Sequence, residues 1–349
     1  MLKYSIKRVI LAFLTAFIIL TLTFFIVKSL PPAAVVATDK KVIYGFYMDQ
    51  VSLGYCFYEK HEVVEHFMPK VTPLDSVVVG RDEFFFYTTP VIQQYFRWLG
   101  NIVTRWDWGT STKLEAGASA IRMIGQALPP TIYVNIVTLI VSVPLGILLG
   151  ILAGLKKNTW IDHTISTLVM VFISIPHFVL ISLLMYVFCY NARILPPAWP
   201  LPSANLSTKI LAFIIPVFSM SFGSICGYTR FVRAELCEVM SSEYLLLART
   251  KGLTKNQAIV RHALRNAFVP ILPSILSEFV GLLGGSMILE GLYDIPGIGR
   301  LYFRAINAPD YNVLMVDMAV FTTIGLLAGI IFDLSYGFID PRIRMGEKR

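Results

Sequence analysis

Six long apolar runs determine the class of structure that this chain can form. An α-helix needs about 20 mostly apolar residues to cross the hydrocarbon core of a bilayer. The runs are Val9–Val27, Ile132–Leu155, Ile165–Tyr190, Ile210–Gly227, Phe268–Leu289 and Val313–Phe338. Prolines within several runs are tolerated, because neighbouring helices satisfy the backbone groups that they free. The sequence predicts an all-α polytopic membrane protein with six transmembrane helices.

The composition excludes the main alternative classes. Of 349 residues, 56% are hydrophobic and 15% are charged, whereas soluble domains carry about 25% charged residues. The apolar content is too high for a disordered chain. Four scattered cysteines are too few for a disulfide scaffold.

The charge distribution predicts the orientation. The net charge is +8. The positions of the basic residues indicate that they flank membrane spans and do not form a nucleic-acid-binding surface. With a cytoplasmic N-terminus, most basic residues fall on the cytoplasmic side, as the positive-inside rule requires. These residues are Lys3, Lys7, Arg8, Lys156, Lys157, Arg230, Arg233, Arg249, Lys251, Lys255, Arg261, Arg265, Arg342, Arg344, Lys348 and Arg349. The short outer loops hold only Arg193, Lys209, Arg300 and Arg304. Both termini are predicted to be cytoplasmic.

The loops divide the chain into four parts. Residues 1–30 form an N-terminal tail and a first span, whose apolar run is too long for a signal peptide. Residues 31–122 form a water-facing, extracytoplasmic insert between the first and second spans. Residues 123–345 form a five-helix core that includes a polar loop, 228–265. Residues 346–349 form a cytoplasmic tail.

Two local patterns predict structure within these parts. Val77–Val79 and Phe84–Tyr87, flanked by turn residues, predict strands in the insert. Gly146, Gly150 and Gly154 repeat every fourth residue on one face of the second span. Such spacing predicts the close approach of another helix.

The polar loop contains signals for two short helices. Ser241 or Ser242 can cap the first helix, and Gly252 is placed to end it in a left-handed conformation. Thr254 and Gln257 then form a capping box that opens a second helix.

The first short helix carries an apolar patch, Tyr244–Ala248, within an otherwise basic loop. An exposed apolar patch of this kind needs a partner. Two interpretations fit the pattern equally: the patch packs on the chain's own bundle, or it docks in a groove of a soluble protein.

Several motifs in order resemble one known family, the ABC importer permeases of the oligopeptide, dipeptide and nickel branch. The quoted segments are Trp98–Asn101, Gly109–Ser111, Leu128–Thr131, Glu243–Leu253, Arg261–Pro270, Gly284–Gly285 with Glu290, Ile295–Arg300 and Asp340–Arg344. The resemblance is strong over about residues 95–345 and weak over residues 1–30. It implies the type I ABC importer permease fold.

The resemblance implies an ATPase-coupling role for the first short helix. Ala248 and Gly252 stand at the A-x-x-x-G core of the family's docking motif, and Leu246 and Leu247 replace its usual basic and hydroxyl residues. The implied coupling residues are Glu243, Tyr244, Leu245, Leu246, Leu247, Ala248, Arg249, Lys251, Gly252 and Leu253.

The resemblance also implies the partners. They are a second homologous permease, two cytoplasmic ABC ATPases and an extracytoplasmic binding protein in a bacterial inner membrane. The chain has no phosphate-binding loop, so it is expected to be no enzyme and to bind no cofactor itself, with ATP and Mg²⁺ held by the ATPases. Oligopeptides or dipeptides are the expected cargo, with nickel chelates or other small solutes as the alternative.

Residues within and beside the fifth span, together with His177 of the third span, are candidates for the translocation pathway. Glu278 lies near the centre of its span, where a carboxylate is expensive unless it faces protein or water. It has two open interpretations, a structural hydrogen bond or a charge that lines the pathway. His177 is favoured as a polar packing residue. The candidate residues are Glu278, His177, Glu290, Pro296 and Gly297.

Two other classes are weaker alternatives. An ion-coupled secondary transporter would need intramembrane charges, for which Glu278, Asp317 and Asp333 are the candidates. A membrane-embedded enzyme would need an acid, base or metal cluster, and no such motif recurs in the spans.

Overall fold

A computed structural model describes residues 2–30, 39–63, 67–115 and 117–339. Among these residues, four helical segments are long and apolar enough to cross a membrane. They are α1 (Leu2–Ser29), α4 (Ala120–Leu155), the consecutive α7 (Leu206–Ala212) and α8 (Ile214–Met240), and α15 (Tyr311–Ile339). The count rises to at most six if each of two bent helix pairs crosses as one span.

The first bent pair replaces the straight span expected at Ile165–Tyr190. α5 (Trp160–Ile173) and α6 (His177–Leu184), which continues into a π-helical segment at Met185–Asn191, meet at 93°. Pro176 lies at the break, where it lacks an amide hydrogen and disfavours helical geometry in the preceding residue.

The second bent pair replaces the span expected at Phe268–Leu289. Three short segments, α10 (Lys255–Ala258), a π-helical turn (Ile259–Ala263) and α11 (Leu264–Ala267), meet α12 (Ile271–Leu283) at 43°. The run then breaks again at Gly285, which has φ +68. A short α13 (Met287–Leu292) and α14 (Ile298–Asn307) follow.

The polar stretch predicted as a loop from Tyr228 begins as a helix. α8 continues unbroken to Met240, and only then does α9 (Glu243–Thr250) begin. Arg233 and Glu235 in this extension are polar but compatible with a helix. The apolar run ends before the helix does, which is why hydropathy alone placed the boundary too early.

The described residues of 2–13, 127–303 and 321–339 form one compact unit. In it, α4 packs closely on α8 through the glycine stripe. A Cβ atom at Gly150 would lie 2.7 Å from the Val232 Cβ and 2.9 Å from the Thr229 carbonyl oxygen. A Cβ atom at Gly146 would lie 2.6 Å from the Tyr228 Cβ. The close helix approach predicted from the spacing is confirmed.

The described residues of 14–126 and 304–320 form a second compact unit. It contains α2 (Lys40–Ser52), α3 (Val91–Arg105) and the strands β1 (Cys56–Glu62), β2 (Asp75–Val79) and β3 (Asp82–Thr88). The antiparallel sheet has the order β1-β3-β2, with Val77 opposite Phe84. The two predicted strands are confirmed. The sheet corrects the all-α expectation, because the second unit is mixed.

Residues distant in sequence complete the second unit. The Asp310 Oδ2 atom accepts a hydrogen bond from the Ser111 hydroxyl at 2.5 Å and from the backbone amides of Thr112, Lys113 and Leu114 at 3.0–3.1 Å. The segment after α14 therefore belongs with the insert. The boundary expected at 122/123 lies inside α4.

Candidate functional site

An open cavity of about 470 Å³, lined by both apolar and polar side chains, lies in the first unit, beside the break between α5 and α6. Side chains from that break, from α8 and from α12 line it. They include His177, Ser224, Tyr228, Ser274 and Glu278. Glu278 and His177, which were predicted as pathway candidates on separate grounds, therefore line the same cavity.

Glu278 has a hydrogen-bond partner on another helix. Its Oε1 atom accepts from the Ser224 hydroxyl of α8. The Tyr228 hydroxyl, one turn after Ser224, is also buried. The two interpretations of Glu278 are thus compatible, because the carboxylate is hydrogen-bonded and half-buried while it lines the cavity.

Three residues that line this cavity, Ser224, Tyr228 and Ser274, were not predicted from the sequence, although their spacing gives a weak signal. Ser224 and Tyr228 are four residues apart on α8, and Ser274 and Glu278 are four apart on α12. Residues at this spacing share a helix face. Two such polar pairs in apolar helices indicate a common polar surface, although the sequence alone does not show that they face each other.

The His177 imidazole lies across α8. Its Nδ1 atom is 3.4 Å from the Ser219 carbonyl oxygen. Any Cβ atom at Gly223 would collide with the ring. The glycine thus allows the imidazole to reach the cavity, where the histidine is exposed within the described chain.

The other three pathway candidates lie elsewhere in the first unit. Glu290 is buried, with Oε1 accepting from the Thr131 hydroxyl at 2.9 Å and Oε2 from the Arg300 amide at 3.0 Å. The Thr131 hydroxyl also accepts from the Ile298 amide at 3.0 Å. This network fixes the turn before α14 that contains Pro296 and Gly297.

The glycine in that turn is required by the network. A Cβ atom at Gly297 would lie 2.5 Å from the Thr131 Oγ and would collide with the Glu290 carboxylate. Among the described residues that line the cavity, Glu290, Pro296 and Gly297 do not occur. Their geometry supports a structural role in the loop.

The short helix α9 has two distinct faces. Leu245 and Ala248 are buried, and Leu245 belongs to a hydrophobic cluster with Leu236, Ile259 and other residues of this unit. Tyr244, Leu246 and Leu247 are exposed. The two interpretations of the apolar patch therefore apply to different faces of one helix.

Most of the end signals predicted from the sequence for α9 and for the following helix α10 are present in the structure. Gly252 has φ +95, which confirms the predicted left-handed conformation. The Thr254 and Gln257 capping box is present. Ser242 occupies the N-cap position, but its hydroxyl donates to the Val239 carbonyl oxygen and accepts no hydrogen bond from the first amides of the new helix.

The remaining coupling candidates extend the exposed side of this region. Glu243, Arg249, Lys251 and Gly252 are exposed, while Leu253 is partly buried against the cluster. The exposed face thus combines apolar and basic side chains.

An ion pair between a buried carboxylate and a partly exposed guanidinium, which the sequence patterns did not predict, joins α5 to the extension of α8. Asp162 is buried and accepts from Arg233 Nε at 2.5 Å and Nη2 at 2.8 Å. It also accepts from the Asn158 amide at 2.9 Å. Nothing in the local sequence pairs these two residues, which lie 71 positions apart.

Comparisons with known proteins identify the family of this chain. Residues 146–345 match the family model described as the binding-protein-dependent transport system inner membrane component. The chain is 32% identical over 346 residues to the dipeptide transport system permease protein DppB of Lactococcus lactis subsp. cremoris (strain MG1363), covering 99% of this chain and 100% of the relative.

Two further relatives extend over the same length. DppB of Bacillus subtilis (strain 168) is 28% identical over 100% of both chains. The oligopeptide transport system permease protein OppB of Escherichia coli (strain K12) is 29% identical over 99% of this chain and 100% of the relative. The resemblance to ABC importer permeases is confirmed, and the chain belongs to the family of binding-protein-dependent transport system inner membrane components.

Proposed function

We propose that this chain is one of two permease subunits of an ATP-driven importer and lines half of a pathway for oligopeptides or dipeptides. The observation that carries the proposal is the cavity shared by Glu278, His177 and Ser224. A single carboxylate in an open cavity with a mixed apolar and polar lining attracts the ammonium group of a peptide. Because it is one charge and not a cluster, it attracts the cargo without trapping it. Full-length similarity to dipeptide and oligopeptide permeases supports the peptide class.

In this proposal the chain crosses the inner membrane six times, with each bent pair acting as one span. Both termini are cytoplasmic, which places Lys156, Lys157 and the basic residues of 228–265 inside. The insert between the first two spans is then extracytoplasmic. The tail charges from Arg342 onward and the signature Asp340–Arg344 lie outside the described residues, as does the side chain of Asp333.

The exposed face of α9 is the proposed contact with a cytoplasmic ATPase. Its buried face anchors the helix to α8 and the π-helical turn through Leu245 and Ile259. Movement of the ATPase pair would therefore be transmitted to the spans through a helix that is fixed on one side only. The ATPases would hold ATP and Mg²⁺, and an extracytoplasmic binding protein would deliver the cargo, so this chain needs no cofactor.

The test is uptake by the complete complex in proteoliposomes. The chain is combined with its second permease, two ATPases and binding protein, and the uptake of dipeptides, longer peptides, a nickel chelate and a free amino acid is compared. Saturable uptake of peptides that needs ATP supports the proposal. Uptake of the nickel chelate but of no peptide contradicts the cargo class, and uptake driven by an ion gradient without ATP contradicts the mechanism.

A further inference from the structure

The helix α3 in the second unit has an exposed apolar face. Ile92, Phe96 and Val103 lie four and seven residues apart, which places them on one side of the helix. They are 53%, 65% and 75% exposed, and Trp106, which caps the helix, is 68% exposed. This face is unlike a water-facing surface, where large apolar residues are scattered singly.

A second face of α3 packs on the end of α1. The Tyr95 hydroxyl and the Thr21 hydroxyl are 2.9 Å apart. The Phe24 ring centroid lies 5.5 Å from that of Tyr95 and 5.0 Å from that of Trp98. All of these residues lie in the second unit, so the position of α3 along α1 is defined.

This contact fixes the depth of α3 in a bilayer. The apolar window of α1 runs from Ile6 to Ser29, about 36 Å at 1.5 Å per residue, against a hydrocarbon core of about 30 Å. Thr21 lies about 12 Å before Ser29 along the helix. With the core centred on this window, Thr21 lies about 9 Å inside the hydrocarbon boundary. That is within the depth of about 5–10 Å to which interfacial helices insert their apolar face, whichever side of the membrane that end faces.

Charge and aromatic residues at the same level fit a lipid surface. The Lys28 ammonium, in the last turn of α1, is 4.8 Å from the Tyr55 ring centroid, and no described carboxylate lies within ion-pair distance of it. The third face of α3 is polar and carries exposed Arg97. Tryptophan, tyrosine and basic side chains concentrate at membrane interfaces.

We propose that α3 is an interfacial helix, with Ile92, Phe96, Val103 and Trp106 inserted into the leaflet at the C-terminal end of α1. The insert is thereby attached to the membrane surface and does not project freely into water. This inference depends on α1 being a span and is independent of the cargo.

The test places a spin label on neighbouring positions of α3 in the full complex. The variants Val103→Cys and Thr104→Cys are made in a chain whose four native cysteines are replaced by alanine, and a second pair, Ile92→Cys and Gln93→Cys, repeats the comparison. The complex is held in nanodiscs of phosphatidylethanolamine and phosphatidylglycerol. Collision rates of the label with oxygen, which partitions into lipid, and with a water-soluble nickel complex are measured.

We expect the ratio of oxygen to nickel collisions to be several-fold higher at Val103 and Ile92 than at Thr104 and Gln93. Variants are used only if the labelled chain still assembles with its partner subunits, which removes misfolding as an explanation. Equal, water-like ratios within each pair would overturn the proposal. Labels at Val103 and Ile92 that are shielded from both reagents would also overturn it, because the face would then be covered by protein.

Discussion

The Ser224 hydroxyl on α8 donates a hydrogen bond to the Glu278 carboxylate on α12, across a cavity that His177 enters from the break after α5. Three helical elements that are distant in sequence thus contribute polar atoms to one space. A hydrogen bond to a charged group is worth about 1.5–3 kcal/mol, so Ser224 holds the carboxylate in position. The Glu278 carboxylate itself supplies the negative charge of the cavity.

Glu278→Gln should separate these two effects. The amide still accepts a hydrogen bond from Ser224 but has no charge, so assembly with the second permease should be intact. Uptake of peptides with a positive charge should fall about tenfold, which corresponds to about 1.4 kcal/mol, and neutral peptides should be affected less. Proteoliposome uptake with peptides of matched length measures the difference.

Ser224→Ala is the matched control for the hydrogen bond alone. It removes the donor and keeps the charge, so the preference for cationic peptides should remain. If Glu278→Gln disrupts the permease pair, or if all peptides are taken up at the normal rate, Glu278 is not the charge that guides the cargo.

The two faces of α9 predict two kinds of defect. Leu246→Glu places a charge on the exposed face, so the permease should insert and remain stable while the ATPase no longer co-purifies. Ala248→Glu places a charge against the chain's own helices, where an unpaired buried charge costs several kcal/mol, so it should also lower the thermal stability of the permease in detergent. Equal stability of both variants, or normal ATPase recovery in Leu246→Glu, would contradict this assignment.

Gly252→Val is expected to have a milder effect than either charge. The residue has φ +95 and no neighbour within 4 Å of an added Cβ, so the penalty is backbone strain of about 1–2 kcal/mol without a steric clash. Gly252→Asn, which tolerates the left-handed conformation better, should restore most of the ATPase co-purification. If Gly252→Val and Gly252→Asn reduce ATPase co-purification equally, the added side chain itself obstructs the contact with the ATPase, and backbone strain is not the cause.

The Asp162 and Arg233 pair has one buried partner, the carboxylate. Arg233→Met leaves that carboxylate without its counter-charge and should destabilise the permease, by less than the about 3–5 kcal/mol of a fully buried pair, because Arg233 is partly exposed. Asp162→Asn combined with Arg233→Met should be more stable than Arg233→Met alone, since no unpaired charge remains. Thermal unfolding in detergent measures both variants, and a double variant that is less stable than the single one would refute the explanation.

Sequence patterns predicted the helices and strands of this protein better than they predicted the contacts between those elements. The glycine stripe at Gly146 predicted a close helix neighbour because a local repeat carries that information. The partner of Asp310, at Ser111, is 199 residues away, and no local pattern encodes such a pair. Hydropathy also placed straight spans where Pro176 turns the chain by 93°, because a broken span has the same composition as a straight one.

Cysteine labelling tests the proposed orientation, and the structure identifies the right reporters. Cys237 lies in the extension of α8 and should be cytoplasmic, so a membrane-impermeant maleimide should label it only after lysis. Cys56 is a poor outer reporter, because its side chain is buried and burial raises the pKa of its thiol, although the nearby Lys28 ammonium partly opposes the shift. A raised pKa reduces the reactive thiolate at neutral pH, so the labelling of Cys56 should be slow and should increase as the pH is raised.

Met68→Cys supplies a better outer reporter, since Met68 is 88% exposed in the second unit. In intact cells with a permeabilised outer layer, Met68→Cys should be labelled rapidly at neutral pH while Cys237 is not. A matched sample lysed before labelling shows that Cys237 is reactive once it is reached. Labelling of Cys237 before lysis, or protection of Met68→Cys until lysis, would reverse the proposed orientation.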